Sequence, residues 1–210
     1  MNLVDMKVNE FLEKLASNSP APGGGSVSAL AAANGTGLMI MAGELTFKKK
    51  KFKQLEEEKQ KEFIDVIEKF RINKDKFVKY IDEDTKAFNS LMDAFKMSKE
   101  NEEDRRKRSL AIKKATMETI IIPMEVCNLA IQSLRMVKKI MTTANKNTIS
   151  DQGVAVLMLH SAIEGSAMNV LVNLTGLSDI QLVKEYKDVV ADIKAEANDL
   201  KAELLAEVKL

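Results

Sequence analysis

Tryptophan is absent from this 210-residue chain, and cysteine and histidine occur once each, as Cys127 and His160. One cysteine excludes an intrachain disulfide and any multi-cysteine metal centre. One histidine excludes the multi-histidine zinc sites, so no metal and no other resident cofactor is expected. Neither charge dominates: Lys and Arg total 32 and Asp and Glu 31. No basic excess points to nucleic acid, and anion recognition must come from local clusters. A long uninterrupted apolar run is missing as well. The most apolar stretch, Val27 to Gly43, is broken by Ser28, Asn34 and Thr36. It falls short of the roughly 20 residues that span a bilayer and reads as a buried helix. The first fifteen residues mix charge with apolar groups and lack the apolar core of a signal peptide, so the cytoplasm is the expected compartment.

Proline is also scarce, with three residues, while 45% of the chain is hydrophobic and 30% charged. That composition argues for a folded chain with a substantial core in one domain, residues 1–210. No alternating Val, Ile or Thr run is bounded by turn residues, so the expected class is all-α, a bundle of about seven helices. A short first helix is expected over about 7–16. Pro20, Pro22 and Gly23-Gly24-Gly25 break it, and Ser26 is the expected N-cap of a second helix over about 27–46. Long helices are expected over about 55–97, with a break near Asn73, and over about 105–144, kinked or split at Pro123. The stretch "ANKNTISD" (144–151) reads as a loop with Ser150 or Asp151 as cap. A helix over about 152–174 should end at Gly176 as a C′ glycine. Ser178 or Asp179 should start a last helix whose heptad positions (Val183, Val190, Ala197 and Leu204; Tyr186, Ile193 and Leu200) form a helix-packing seam.

One carboxylate stands out. Phe77, Ile81, Asp84, Phe88, Leu91 and Phe95 follow one another at helical spacing, so an acid interrupts an apolar stripe. Asp82 lies roughly 160° away around the same helix and should face solvent, so the two are not a catalytic pair. A carboxylate facing a core costs several kcal/mol unless it is paired or protonated. Asp84 is therefore either a general acid/base of raised pKa in a cleft or a buried acid bonded to a lysine or a helix N-terminus.

Other positions carry weaker signals. Lys48, Lys49, Lys50, Lys51 and Lys53 either attract an acidic substrate tail or solvate a helix end. Asn169 and Asn173, one turn apart on an apolar helix, bond either a ligand or a neighbouring helix. His160 and Cys127 read as packed residues. The glycine loop lacks the Lys-Ser/Thr ending of a P-loop and follows a helix rather than a strand. It nevertheless leaves backbone N–H groups unobstructed at a positive helix end, which suits a carboxylate or a polarised carbonyl.

Five blocks occur in register: "PAPGGGSVSAL", "TFKKKKF", "IDEDTKAFNSLMDAFKMS", "ANKNTISD" and "NVLVNLTGLSD". Together they make nearly the whole chain resemble the cyclodeaminase/cyclohydrolase family of folate one-carbon enzymes. The resemblance implies an all-α homodimer acting on a tetrahydrofolate derivative, without a fused formiminotransferase domain and so without channelling in one chain. It implies a functional Asp at Asp84. It also raises Gly23, Gly24, Gly25, Ser26, Lys49, Lys50, Asn145, Asn147, Ser150, Asp151, Asn169 and Asn173 to candidate folate-site positions. The expected activity is a formimidoyltetrahydrofolate cyclodeaminase of histidine degradation, with methenyltetrahydrofolate cyclohydrolase as the alternative and an inactive folate-binding scaffold as a further one. The expected pose puts the pterin near Asp84 and the glycine loop, and the glutamate tail on the lysines.

Overall fold

A computed structural model describes residues 2–209; Met1 and Leu210, the ends of the expected domain, lie outside the described residues. Among these residues the fold is all helix. A 3₁₀ turn (Leu3–Asp5) precedes α1 (Val8–Leu15), α2 (Gly24–Phe47), α3 (Lys50–Lys53), α4 (Glu57–Lys96) and α5 (Glu102–Ile140). Then come α6 (Ile149–Asn173) and α7 (Ile180–Ala206). Helices α2, α4, α5 and α6 form a four-helix ring, and α7 lies against α5 and α6.

Small residues set the spacing of the two central helices. A Cβ on Gly35 of α2 would stand 2.9 Å from Ala155 O of α6, so this crossing admits only a glycine. The two helices run antiparallel: Gly24 of α2 neighbours Asn169 near the end of α6, while Thr46 Oγ1 accepts a 2.8 Å bond from Asn145 N just before α6. Three segments are long and apolar enough to cross a membrane by length and composition alone: 24–47, 102–140 and 146–176. Their most apolar windows are 56%, 61% and 44% buried inside the fold. The stretch read as too short to span is thus part of a 24-residue helix.

Several boundaries differ from the expected ones, each for a local reason. Helix α2 starts at Gly24 with Gly23 as N-cap, because the Ser26 hydroxyl is turned to α4 rather than to its own backbone. Helix α4 is unbroken at Asn73, whose Nδ2 donates to Ser133 Oγ of α5 (3.1 Å). Helix α5 runs through Pro123 without interruption. The carbonyl that proline leaves unpaired, Thr119 O four residues back, accepts instead from Asn173 Nδ2 of α6 at 2.7 Å. Helix α6 begins at Ile149 with Thr148 at its cap position, so Ser150 and Asp151 sit inside its first turn. Asn145 Oδ1 caps the preceding 3₁₀ turn through Asn147 N at 3.1 Å. Gly176 closes another 3₁₀ turn, and no described glycine has a positive φ, so it is not a left-handed C′ cap. The α7 seam is as expected: Asp179 Oδ1 accepts from Leu182 N (3.0 Å), and Val190, Ile193, Ala197, Leu200 and Leu204 are buried.

Candidate functional site

The apolar stripe of α4 does not stay in the core. Phe77 and Ile81 are 0% and 4% exposed, Phe88 and Leu91 are half-buried, and Phe95 is 47% exposed. Asp84 stands where the stripe leaves the core, facing the N-terminus of α2. A cavity of about 290 Å³ opens there, walled by the loop before α2, by Phe88 and Leu91 of α4, by Thr119 of α5, and by Asn169 and Asn173 of α6. Among the described residues Asp84 is the only ionisable side chain lining it.

Glycine at position 25 is what lets the carboxyl in. A Cβ there would lie 2.0 Å from Asp84 Oδ1, well inside contact distance. A Cβ on Gly24 would meet Asn169 Nδ2 at 3.1 Å, and one on Gly23 nothing closer than Pro20 O at 3.9 Å. Ser26 is fully buried, and its Oγ lies within donating distance of both Ile81 O (2.8 Å) and Asp84 Oδ2 (3.0 Å) and 3.1 Å from Thr85 Oγ1. Burial pushes the Asp84 carboxyl above the usual carboxylate range, against hydrogen bonds from the Ser26 side chain and backbone that pull it down. Asp82 does not simply face solvent: it is half-buried, and its Oδ1 accepts from Leu3 N at 2.5 Å.

The amides are partly committed to structure. Asn173 Nδ2 serves the proline-orphaned carbonyl, and Asn169 Nδ2 donates back to Gly165 O (2.8 Å). Both asparagines still line the cavity, and each Oδ1 keeps its acceptor capacity, with no donor on it among the described residues.

The lysine end is a separate place. Phe47, Phe52 and Phe63 meet edge to face with centroids 5.3–5.7 Å apart and pin the lysine run to the bundle. Beside them lies a cavity of about 490 Å³ lined by Lys49, Lys50, Lys51, Lys146, Asn145 and Thr46, among others. No carboxylate lines it, and none of these lysines is ion-paired among the described residues. Asn147, Ser150 and Asp151 line neither cavity. The 24 residues of α2 at about 1.5 Å each separate the two places by about 36 Å, longer than a folate with one glutamate. The expected pose, pterin on Asp84 and tail on Lys49 or Lys50 of one chain, therefore needs more length than a folate with one glutamate offers.

Sequence reasoning passed over Thr85, Thr119, Lys146 and Thr46. Thr119 was reachable, since Pro123 marks the carbonyl four residues earlier as orphaned. Thr85 had no signal beyond adjacency to Asp84. Cys127 is buried, donates to Ile163 O at 3.6 Å, and its thiol is pushed up to about 12 by burial, so it is an unreactive core residue. His160 Nε2 lies 2.8 Å from Asn198 Oδ1, away from either cavity. Among the described residues no three His, Cys, Asp or Glu side chains are grouped to hold a metal ion.

The comparisons with known proteins bear on the whole bundle. Methenyltetrahydrofolate cyclohydrolase of Methylorubrum extorquens is 31% identical over 96% of this chain and 95% of its own length. Formimidoyltransferase-cyclodeaminase of Rattus norvegicus is 26% identical over 99% of this chain, and that of Dictyostelium discoideum 34% over 87%. The chain spans only 38% and 32% of those two longer proteins. A crystal structure of formiminotetrahydrofolate cyclodeaminase from Thermotoga maritima shares the fold, with a TM-score of 0.81 over 95% of this chain and 94% of that one, at 24% identity. The model of the formiminotransferase-cyclodeaminase family matches residues 7–192, and the chain belongs to that family.

Proposed function

We propose that this protein is a folate one-carbon enzyme that closes or opens the bridge between N5 and N10, with Asp84 as general acid/base. The leading reading is a formimidoyltetrahydrofolate cyclodeaminase. N10 attacks the protonated formimino carbon, a carbon–nitrogen bond forms, and Asp84 takes the N10 proton. It returns that proton to the amino group, which leaves as ammonia, and the 5,10-methenyl cation remains. The observation that carries this reading is a lone carboxyl of raised pKa, wedged against Gly25 at a helix N-terminus in a small cavity walled by Phe88, Leu91 and Val172 and by two asparagines. Holding N5 and N10 against that carboxyl supplies the rest of the acceleration by positioning.

The second reading, methenyltetrahydrofolate cyclohydrolase, has Asp84 activate water against the same bridged carbon. It is favoured by one observation: the relative of that name is matched from end to end.

The active unit is a homodimer of cytoplasmic location that needs no metal, redox cofactor or nucleic acid. Val27, Met41 and Leu45 of α2 and Val154, Leu157 and Met168 of α6 are 37–63% exposed on two adjacent helices. Two helices about 36 Å long, set about 10 Å apart, offer roughly 700 Å² per chain, close to the ~800 Å² of a standard interface. A two-fold axis lying in that face and crossing both helices would bring the lysine end of one copy over the Asp84 cavity of the other, and the tail would then be held by the partner's lysines.

The test is the methenyl chromophore. Its appearance from 5-formimino-tetrahydrofolate with ammonia release identifies the cyclodeaminase, and its accelerated loss in water identifies the cyclohydrolase. Asp84→Asn is expected to lower either rate by about 10²–10⁴-fold while keeping the helical circular-dichroism spectrum. No catalysis of either conversion by the wild-type chain leaves a binding scaffold.

A further inference from the structure

Ser26 was expected to face a ligand, yet it is fully buried and its hydroxyl is surrounded by protein oxygens. A serine hydroxyl holds one proton and two acceptor lone pairs. Three oxygens compete around it: Ile81 O, which only accepts; Asp84 Oδ2, which accepts when ionised and donates when protonated; and Thr85 Oγ1, which does either. Thr85 has no other side-chain partner among the described residues, so its proton goes to Ser26 Oγ. The Ser26 proton then has two acceptors and reaches one at a time. With Asp84 ionised it goes to Oδ2 and the charge is met. With Asp84 protonated on Oδ2, the carboxyl donates to the remaining lone pair of Ser26 and the Ser26 proton goes to Ile81 O, so every contact is satisfied.

We propose that Ser26 is a positioning residue whose single hydroxyl proton moves between Ile81 O and Asp84 Oδ2 as Asp84 gains and loses its proton, with Thr85 holding the rotor. The inference rests on the reading of Asp84 as acid/base and deepens it. A carboxyl that must take a proton and return it within one turnover needs both states solvated without water, and a hydroxyl that rotates does this without moving the carboxyl. The bond to the charged state is the stronger of the two, so Ser26 lowers the proton affinity that burial raises.

Among the described residues no other ionisable side chain lines the cavity with Asp84 to obscure the effect. The loop contributes Pro20, Ala21 and glycines, α5 contributes Thr119, and α6 contributes Asn169, Val172 and Asn173. On α4, Asp82 is bonded to Leu3 N, and Glu83 pairs with Lys79 at 3.1 Å.

The experiment is a titration of the full chain carrying ¹³C-carboxyl aspartate, followed by NMR, with the Asp84 signal assigned by its loss in Asp84→Asn. Ser26→Ala is expected to raise the Asp84 midpoint by about one pH unit. Thr85→Val is expected to raise it less, and to add nothing in the Ser26→Ala background, because Thr85 acts only through Ser26. The pH profile of kcat should move with the NMR midpoint. A Ser26→Ala midpoint within about 0.2 units of wild type, or below it, overturns the proposal, as does an additive double variant. Thr85→Val, nearly isosteric, carries the test if Ser26→Ala loses its fold. Because the midpoint is read without turnover, an inactive wild-type chain would sink the functional reading and leave this one standing or falling by itself.

Discussion

The two ends of the α2–α6 pair handle charge in opposite ways. At one end a single half-buried carboxyl faces a cavity of about 290 Å³ with no cation lining it among the described residues. At the other, four lysines line about 490 Å³ whose walls carry no carboxylate among the described residues. The first end makes its charge costly by partial desolvation, and small shifts of geometry should matter there. The second leaves charge unneutralised, and only the summed field should matter. Proton transfer needs the first kind of place, and holding a polycarboxylate needs the second.

The sharpest way to break this contrast is a graded series in the glycine loop. Gly25→Ala forces the Asp84 carboxyl aside, since the added methyl would lie 2.0 Å from Oδ1. A displacement of that order costs about 10²-fold in kcat. Gly24→Ala meets only the movable Asn169 amide at 3.1 Å and should cost about tenfold or less, while Gly23→Ala, with open space, should be close to wild type. Steady-state rates in that order support a geometric role for the loop, whereas equal losses at all three would assign it to chain flexibility.

The lysine end should answer differently. Lys49→Gln with Lys50→Gln is expected to raise KM for a folate with several glutamates by about tenfold, leaving kcat nearly unchanged, and the effect should fade at high salt. A fall in kcat at constant KM would mean that the lysines act on the chemistry, and the two ends would not be separate in kind.

How much of this was legible beforehand follows from which interactions are local. Helical periodicity placed Asp84 on an apolar stripe and the α7 seam on its neighbours, because both depend on residues one turn apart. The starting glycine of α2 was not legible: the choice between Ser26 as a cap and Ser26 as a partner of Asp84 is made by a helix 55–59 residues away. Pro123 looked like a break for the same reason, since the amide that rescues its carbonyl comes from Asn173. The resemblance grouped Lys49 and Asn145 with Asp84 in one site. Block order cannot say that a straight 24-residue helix stands between them.

The smallest expected effect is on stability, and it runs against the loss of activity. The carboxyl of Asp84 is pushed up in the folded state, so between its unfolded and folded pKa values the folded chain binds the proton that the unfolded chain has released. Stability then falls as pH rises through that window, and the cost persists above it. Asp84→Asn removes the ionisation while keeping the shape, so it is expected to melt higher than wild type at neutral pH. The two should draw together as pH falls toward about 4, the ordinary aspartate pKa, where the folded-state carboxyl takes up its proton. Thermal melts across pH 4–8 measure the gap. A variant that melts lower than wild type at neutral pH would mean that the N–H groups at the start of α2 hold the carboxylate more strongly than burial opposes it. Asp84 would then be an ordinary helix-capping anion, and the contrast between the two ends would fail at the end where the chemistry is assigned.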